Sequence, residues 1–218
     1  MFRFLSLMFL VLFLSCRPPS GIVDRLVDPY FPLHLGSTWV YQTPQGEEVN
    51  AKVVADSIIG QDTLRFYEFL GEVSLLYPRR EVVTRWVTTE VYHLGTPWLL
   101  EARWQKILEL PPVKGNTWTD RYVYQMVVQS DTLRVERWLQ GRVGEPYPLQ
   151  VPAGEYEVYP VDLREVRVVN TPVQRADSSW IHWDLAPGVG PVRILRWLWH
   201  NGGFQADTFE LVAFQEGR

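Results

Sequence analysis

From Trp39 onward the chain alternates apolar and polar residues with a period of two, the spacing of a strand with one covered face. "EVVTRWVTTEVYHL" is β-branched and aromatic throughout. "WLLEARWQKILEL" satisfies a helical spacing as well. Its alternating face of Trp98, Leu100, Ala102, Trp104, Leu108 and Leu110, opposite Glu101, Arg103, Gln105 and Glu109, favours a strand. "DRYVYQMVVQSDTLRVERWL" predicts a hairpin turning at Gln129–Asp131, and "VRILRWLWHNGGFQADTFELVAF" a second around residues 201–203. Gly and Pro lie between these runs. Pro160 is an exception and predicts a bulge or an edge strand. "SGIVDRLVDP" allows one short helical segment, capped at Ser20 and stopped at Pro29.

Roughly ten strands with short links predict an all-β fold, mainly antiparallel: a curved meander sheet or half-barrel with at most one short helix. In "RILRWLWH", Leu195, Trp197 and Trp199 share one face while Ile194 and Leu198 share the other. A sheet apolar on both faces must be covered on both, by curling, by a second sheet or around a cavity.

Two patterns recur. "PLHLGSTW" and "PPVKGNTW" both read P-x-x-x-G-x-T-W, and Asp62, Asp131 and Asp207 each open an Asp-Thr-apolar stretch. Two related half-sheets and a recurrent hairpin grammar both account for this. The spacing of about 70 to 80 residues is too long and loose for a solenoid.

Composition narrows the class. The chain has 218 residues, enough for one β-rich domain with a sizeable core. Its formal net charge of −4 gives no basic excess for nucleic acid. Trp, Tyr and Phe number 10 each, which suits broad half-buried sheet surfaces. Cys16 is the only cysteine, so no disulfide and no cysteine metal cluster is available.

Residues 1–15, "MFRFLSLMFLVLFLS", place one Arg before an apolar run too short for a permanent span, the form of a secretory signal. With Ser15 before Cys16, this resembles the lipobox of bacterial lipoproteins, although Phe13 and Leu14 depart from the commonest residues. The resemblance implies cleavage before Cys16 and a diacylglyceryl, palmitate-type anchor on its thiol. "RPPSG" then acts as a stiff spacer. The expected layout is a lipoprotein signal peptide at 1–15, a lipidated Cys and linker at 16–29, and one antiparallel β domain at 30–218. Arg17 carries no inner-membrane retention signal by the same resemblance, so the expected location is the cell envelope, at the outer membrane facing the periplasm.

"YFPLHLGSTWVY", "PPVKGNTW", "VPAGEYEVYPV" and "APGVGPVRI" occur in that order. Together they resemble a family of secreted and lipidated bacterial β-sheet proteins with Y-F-P-L-x-x-G-x-x-W-x-Y, V-P-A-G-x-[FY] and P-G-V-G-x-V motifs, over about residues 30–214. That resemblance implies a curved antiparallel sheet akin to LolA/LolB-like half-barrels. It supplies no catalytic residues. Tyr156 stands where Phe is commoner.

No motif for chemistry emerges. His34, His93, His182 and His200 form no metal-binding spacing, so no metal or other cofactor is expected. No G-x-S-x-G elbow exists, and the Asp-Thr triplets lack the Gly of an aspartic protease. Gly188 and Gly190 sit in a turn that leads into a strand rather than a phosphate-binding helix. Glu155 and Glu157 read as a solvated strand face. The Trp surplus is open to a functional reading: Trp86, Trp104, Trp138, Trp180, Trp183, Trp197 and Trp199 are candidates to line an apolar ligand site, against core packing as the plain alternative.

The expectation is a non-enzymatic envelope lipoprotein binding a lipid or acyl chain in a β half-barrel. The alternative is a structural or assembly subunit of an envelope complex with a filled core. A hydrolase is the third reading, and it requires His182 or His200 to converge with a carboxylate in a cleft.

Overall fold

The computed structural model describes residues 30–217 except Arg80, Pro172 and Asn201. The expected signal peptide, lipobox, Cys16 and short helical segment all lie outside the described residues.

Thirteen antiparallel strands and no helix are present among the described residues. They are β1 (Thr38–Gln42), β2 (Glu48–Ile59), β3 (Asp62–Phe69), β4 (Glu72–Arg79), β5 (Val82–His93), β6 (Thr96–Glu109), β7 (Thr117–Val128), β8 (Asp131–Val143), β9 (Tyr147–Val151), β10 (Gly154–Thr171), β11 (Val173–Ala186), β12 (Gly190–His200) and β13 (Gly203–Gln215). This exceeds the expected ten, and the all-β antiparallel class is as expected. The order is β6-β5-β4-β3-β2-β1-β13-β12-β11-β10-β8-β7, with β9 paired to β10. One meander, β1–β6, is thus joined to a second, β7–β13, through the β1–β13 ladder.

The sheet curls until its two edges, β6 and β7, lie side by side in a nearly closed barrel. No backbone ladder joins them among the described residues; side chains do. Asp120 of β7 accepts from the Lys106 amide at 3.3 Å and pairs with Arg103 at 2.7 Å. The Tyr122 hydroxyl donates to the Leu100 carbonyl at 2.9 Å. Two otherwise bare strand edges are blunted in this way.

The P-x-x-x-G-x-T-W stretches form one turn twice. The Gly36 amide donates to the Val53 carbonyl and the Gly115 amide to that of Val143, both at 3.0 Å. Val53 and Val143 donate back to Ser37 and Asn116. Both glycines have φ of 85°, which favours Gly. Trp39 then faces Ala51 on β2, and Trp118 faces Gly141 on β8. Each meander therefore opens on the same Trp-against-small pairing. Of the Asp-Thr stretches, Asp62 and Asp131 start strands, whereas Asp207 lies within β13.

The predicted hairpins form: Val128 pairs with Asp131, and His200 with Gly203. Pro160 sits where β10 changes partner, from β9 (through Val158) to β8 (from Val161). Its carbonyl accepts from Gly144 at 2.8 Å. A residue's N–H and C=O point to the same side of a strand. The missing donor therefore faces the gap between β9 and β8.

The main core lies towards the end of the barrel where β1 begins and β13 ends. There the two outer motifs meet. Trp39 Nε1 donates to the Val189 carbonyl, the Tyr41 hydroxyl donates to that of Pro191, and Phe31 packs on Trp39 and Trp183. A smaller core of Val91, Leu100, Leu133 and Val135 fills part of the far end.

Candidate functional site

Strand alternation decides which side chains enter the barrel, and two bulges in β6 reset it. Thr89 pairs with Glu101 but Glu90 with Leu99, so Leu100 is the extra residue; Ile107 is the extra residue at the second shift. Leu100, Glu101, Gln105, Ile107 and Leu108 are all buried as a result. The face of Glu101, Arg103 and Gln105, expected opposite the apolar face, points into the barrel. Trp104 faces out, packed on Trp86 at 5.3 Å.

Inside, charges pair across the lumen. Glu101, fully buried, accepts from Arg137 Nε at 2.9 Å, from the Thr89 hydroxyl at 2.9 Å and from Arg103 Nε at 3.1 Å. Arg137 Nη1 also reaches Glu165 at 2.5 Å. Glu165 receives Arg85 at 3.0 Å and Gln105 Nε2 at 3.2 Å. Burial pushes the Glu165 carboxyl upward, but Arg85, Arg137 and the hydrogen bonds outweigh it and hold it down at about 2. The charged members come from β5, β6, β8 and β10, and each polar partner removes part of the desolvation cost of the others.

Two cavities flank this network and share Glu165 and Ser179 in their walls. The inner one, about 150 Å³, has an apolar wall including Phe31, Phe69, Leu163, Ile181, Trp183 and Ile194. Arg85 and Arg196 stand at its polar side. The outer one, about 250 Å³, is lined by Arg137, Arg167, Asp177, Ser178, Trp199 and His200 among others. It lies at the far end, beside the β12–β13 hairpin.

Among the seven candidate tryptophans, Trp183 lines the inner cavity, and Trp199, beside the outer one at the rim, shares the outward face of Trp197 and packs there on Phe204. The other five alternate with lumen residues and so face outward. Trp180 and Trp197 stack at 4.4 Å, Trp86 packs on Trp104, and Trp138 follows the inward Arg137. The lumen residues that do meet, Arg85, Arg137 and Glu165, are charges within strands, and Arg137 and Glu165 stand directly beside Glu136 and Arg164. That was the available sequence signal, and it reads equally well as solvent exposure.

His182 lies on the outer face between Asp162 (Nδ1, 2.9 Å) and Asp184 (Nε2, 3.2 Å). Burial lowers its pKa, but the two carboxylates raise it more strongly, to about 9. A histidinium with both nitrogens engaged donates protons and accepts none, so it serves as a brace rather than a base. Asp184 is also held by Arg193 Nε at 2.8 Å and by the Tyr147 hydroxyl at 2.7 Å. His200 pairs with Asp177 at 2.5 Å, at the rim. Glu155 and Glu157 are exposed. No cluster of three or more metal-ligating side chains occurs among the described residues.

No protein-family model and no curated protein matches the chain. Three solved structures are similar to it. A candidate lipoprotein from Parabacteroides distasonis is 12% identical, with a TM-score of 0.47, over 85% of this chain and 97% of that one. A candidate exported protein with a YmcC-like fold from Bacteroides fragilis is 11% identical, with a TM-score of 0.41, over 85% and 98%. The hypothetical lipoprotein YmcC from Escherichia coli is 12% identical, with a TM-score of 0.29, over 94% of each chain.

Proposed function

We propose that this chain is a non-enzymatic envelope lipoprotein, anchored through Cys16 at the outer membrane and facing the periplasm, that holds an amphipathic ligand in its barrel. The observation that carries the reading is the pair of adjoining cavities, one walled by apolar side chains and one by polar ones, meeting at Glu165 and Ser179. A cavity of about 150 Å³ with an apolar wall accepts a small apolar group. Ligand pockets commonly span about 300–1,000 Å³. The inner cavity therefore suits a short or partly inserted chain rather than a whole long acyl group.

Native mass spectrometry of the mature chain carrying Cys16→Ser, purified without detergent, tests this. The expected result is a lipid-sized mass lost on denaturation, and its absence from Ile181→Phe, which fills the inner cavity. A bare polypeptide mass that takes up no added amphiphile would overturn the reading.

A second reading, an assembly subunit, is favoured by one observation. Four consecutive hairpins at the far end expose apolar side chains: Tyr92 and Leu94, Val127, Val173 and Phe204. A rim of this kind suits a protein partner. Co-purification of a defined envelope protein, lost on Leu94→Ser with Phe204→Ser, would support it.

A further inference from the structure

The outward face of the sheet carries aromatic side chains in register towards the far end. Trp138 of β8, Val166 of β10, Ser178 of β11, Trp199 of β12 and Phe204 of β13 form one cross-strand row. The next row holds Arg164, Trp180 and Trp197. Trp180 stacks on Trp197 at 4.4 Å, and the Arg164 guanidinium lies 5.4 Å from the centre of the Trp180 ring. β9 covers this face at the near end, where the Tyr147 hydroxyl donates to Asp184 and accepts from Arg193. Farther along, Trp199 and Phe204 are 43% and 60% exposed.

The charge of this face runs against that of the chain, whose formal net charge is −4. Arg121, Arg134, Arg142, Arg164 and Arg193 point outward from β7, β8, β10 and β12. The outward carboxylates of β7, β8, β10, β11 and β12 are Glu136, Asp162 and Asp184. Glu136 pairs with Arg121 and Arg134, and Asp184 with Arg193. Arg142 and Arg164 are exposed, and neither forms an ion pair among the described residues. Exposed Trp beside unpaired Arg suits the interface of an anionic bilayer. Trp rings settle at the level of the headgroups, and each arginine near such a surface strengthens binding roughly fivefold. The chain outside the described residues permits this contact. Residues 17–29 reach at most roughly 45 Å, about the length of the 14-residue strand β6. The anchor proposed on Cys16 and this face can therefore meet one bilayer, with the barrel lying on its side.

We propose that the outward face of β8 and β10–β13 rests on the headgroups of an anionic membrane, with Trp197, Trp199 and Phe204 in the interface and Arg142 and Arg164 against lipid phosphates. The contact alone is weak and reversible, and the proposed anchor holds it at high local concentration. It needs no ligand in the barrel.

Vesicles of phosphatidylcholine, alone or with about 30% phosphatidylglycerol, test this on the mature Cys16→Ser chain at low salt. The expected result is binding at least about tenfold tighter to the anionic vesicles, weakening as salt is raised. Arg142→Gln with Arg164→Gln is expected to remove that preference. Trp197→Gln with Trp199→Gln is expected to weaken binding and leave its salt dependence unchanged. Trp86→Gln, on the outward face of β5, and Ile181→Phe, in the inner cavity, are expected to bind as the parent does. No binding to either kind of vesicle, equal binding to both, or an equal loss on Trp86→Gln would each overturn the inference. Capture of one envelope protein by the parent and not by the arginine variant, with vesicles left unbound, would overturn it in favour of a protein partner.

Discussion

Glu165 and His182 place the limits of stability on opposite sides of neutrality. The Glu165 carboxyl is held at about 2 in the fold against an ordinary 4.5. A depressed acid contributes stability that is present above 4.5 and is lost as pH falls towards 2. His182 is raised from 6.5 to about 9. A raised base contributes fully below 6.5 and loses its contribution as pH rises towards 9. Each shift corresponds to roughly 3 kcal/mol. Thermal midpoints measured against pH should therefore plateau between about 4.5 and 6.5 and fall on both sides. Glu165→Gln is expected to lower the plateau and flatten the acid limb, since Arg85 loses its carboxylate partner and Arg137 keeps only Glu101. His182→Gln is expected to lower the plateau and flatten the alkaline limb. The sequence marks His182 as a histidine on an aromatic strand and gives no hint of its two carboxylate partners. Asp162 lies 20 residues away and meets it only through the β10–β11 register.

At the scale of the element, the repeated turn is the most informative unit. Trp118 occupies the space above Gly141 so fully that a methyl group there would lie 2.0 Å from its ring. Gly141→Ala is expected to cost about 1–3 kcal/mol through overpacking, read as a drop in urea midpoint. Trp118→Leu in the same chain should recover part of the loss, because it vacates the contested volume. Period-two patterning, Gly and Pro placement and the hairpin turns were legible because they depend on neighbours in sequence. The β6 bulges were not: an inserted residue leaves the pattern apolar enough to read through, and only pairing with β5 shows where the register slips. Pro160 was legible as an irregularity, while its meaning, a change of partner, needed β8 and β9 in place.

At the scale of the whole molecule the barrel has two unlike ends. Tyr30 leads into the end where Phe31, Trp39 and Val189 pack, so the lipid proposed on Cys16 would join the described domain from that end. The outer cavity and the apolar hairpins lie at the other. Cys16→Ser is expected to move the protein from the membrane fraction to the soluble periplasmic fraction and to abolish incorporation of labelled palmitate. Persistence in membranes of a variant that has lost residues 1–15 would refute the anchor. The edges meet at the β6–β7 seam through Asp120 and Tyr122 rather than a ladder, so this closure depends on a few side chains.

By itself, the sequence determined the class of strand, most turns, the all-antiparallel meander and the expectation of a secreted, lipid-anchored chain. Those follow from local chemistry: alternation, Gly and Pro geometry, and an apolar run before a lone cysteine. Only the tertiary structure decided what lies inside. Most of the tryptophans read as candidate ligand walls face outward, and the polar face of Glu101, Arg103 and Gln105 faces the lumen. In a strand, sequence reveals that two faces differ, but curling the sheet decides which of them is enclosed. A charged face can be the enclosed one when a counter-charge arrives from another strand far along the chain, as Arg137 does for Glu101 across 36 positions.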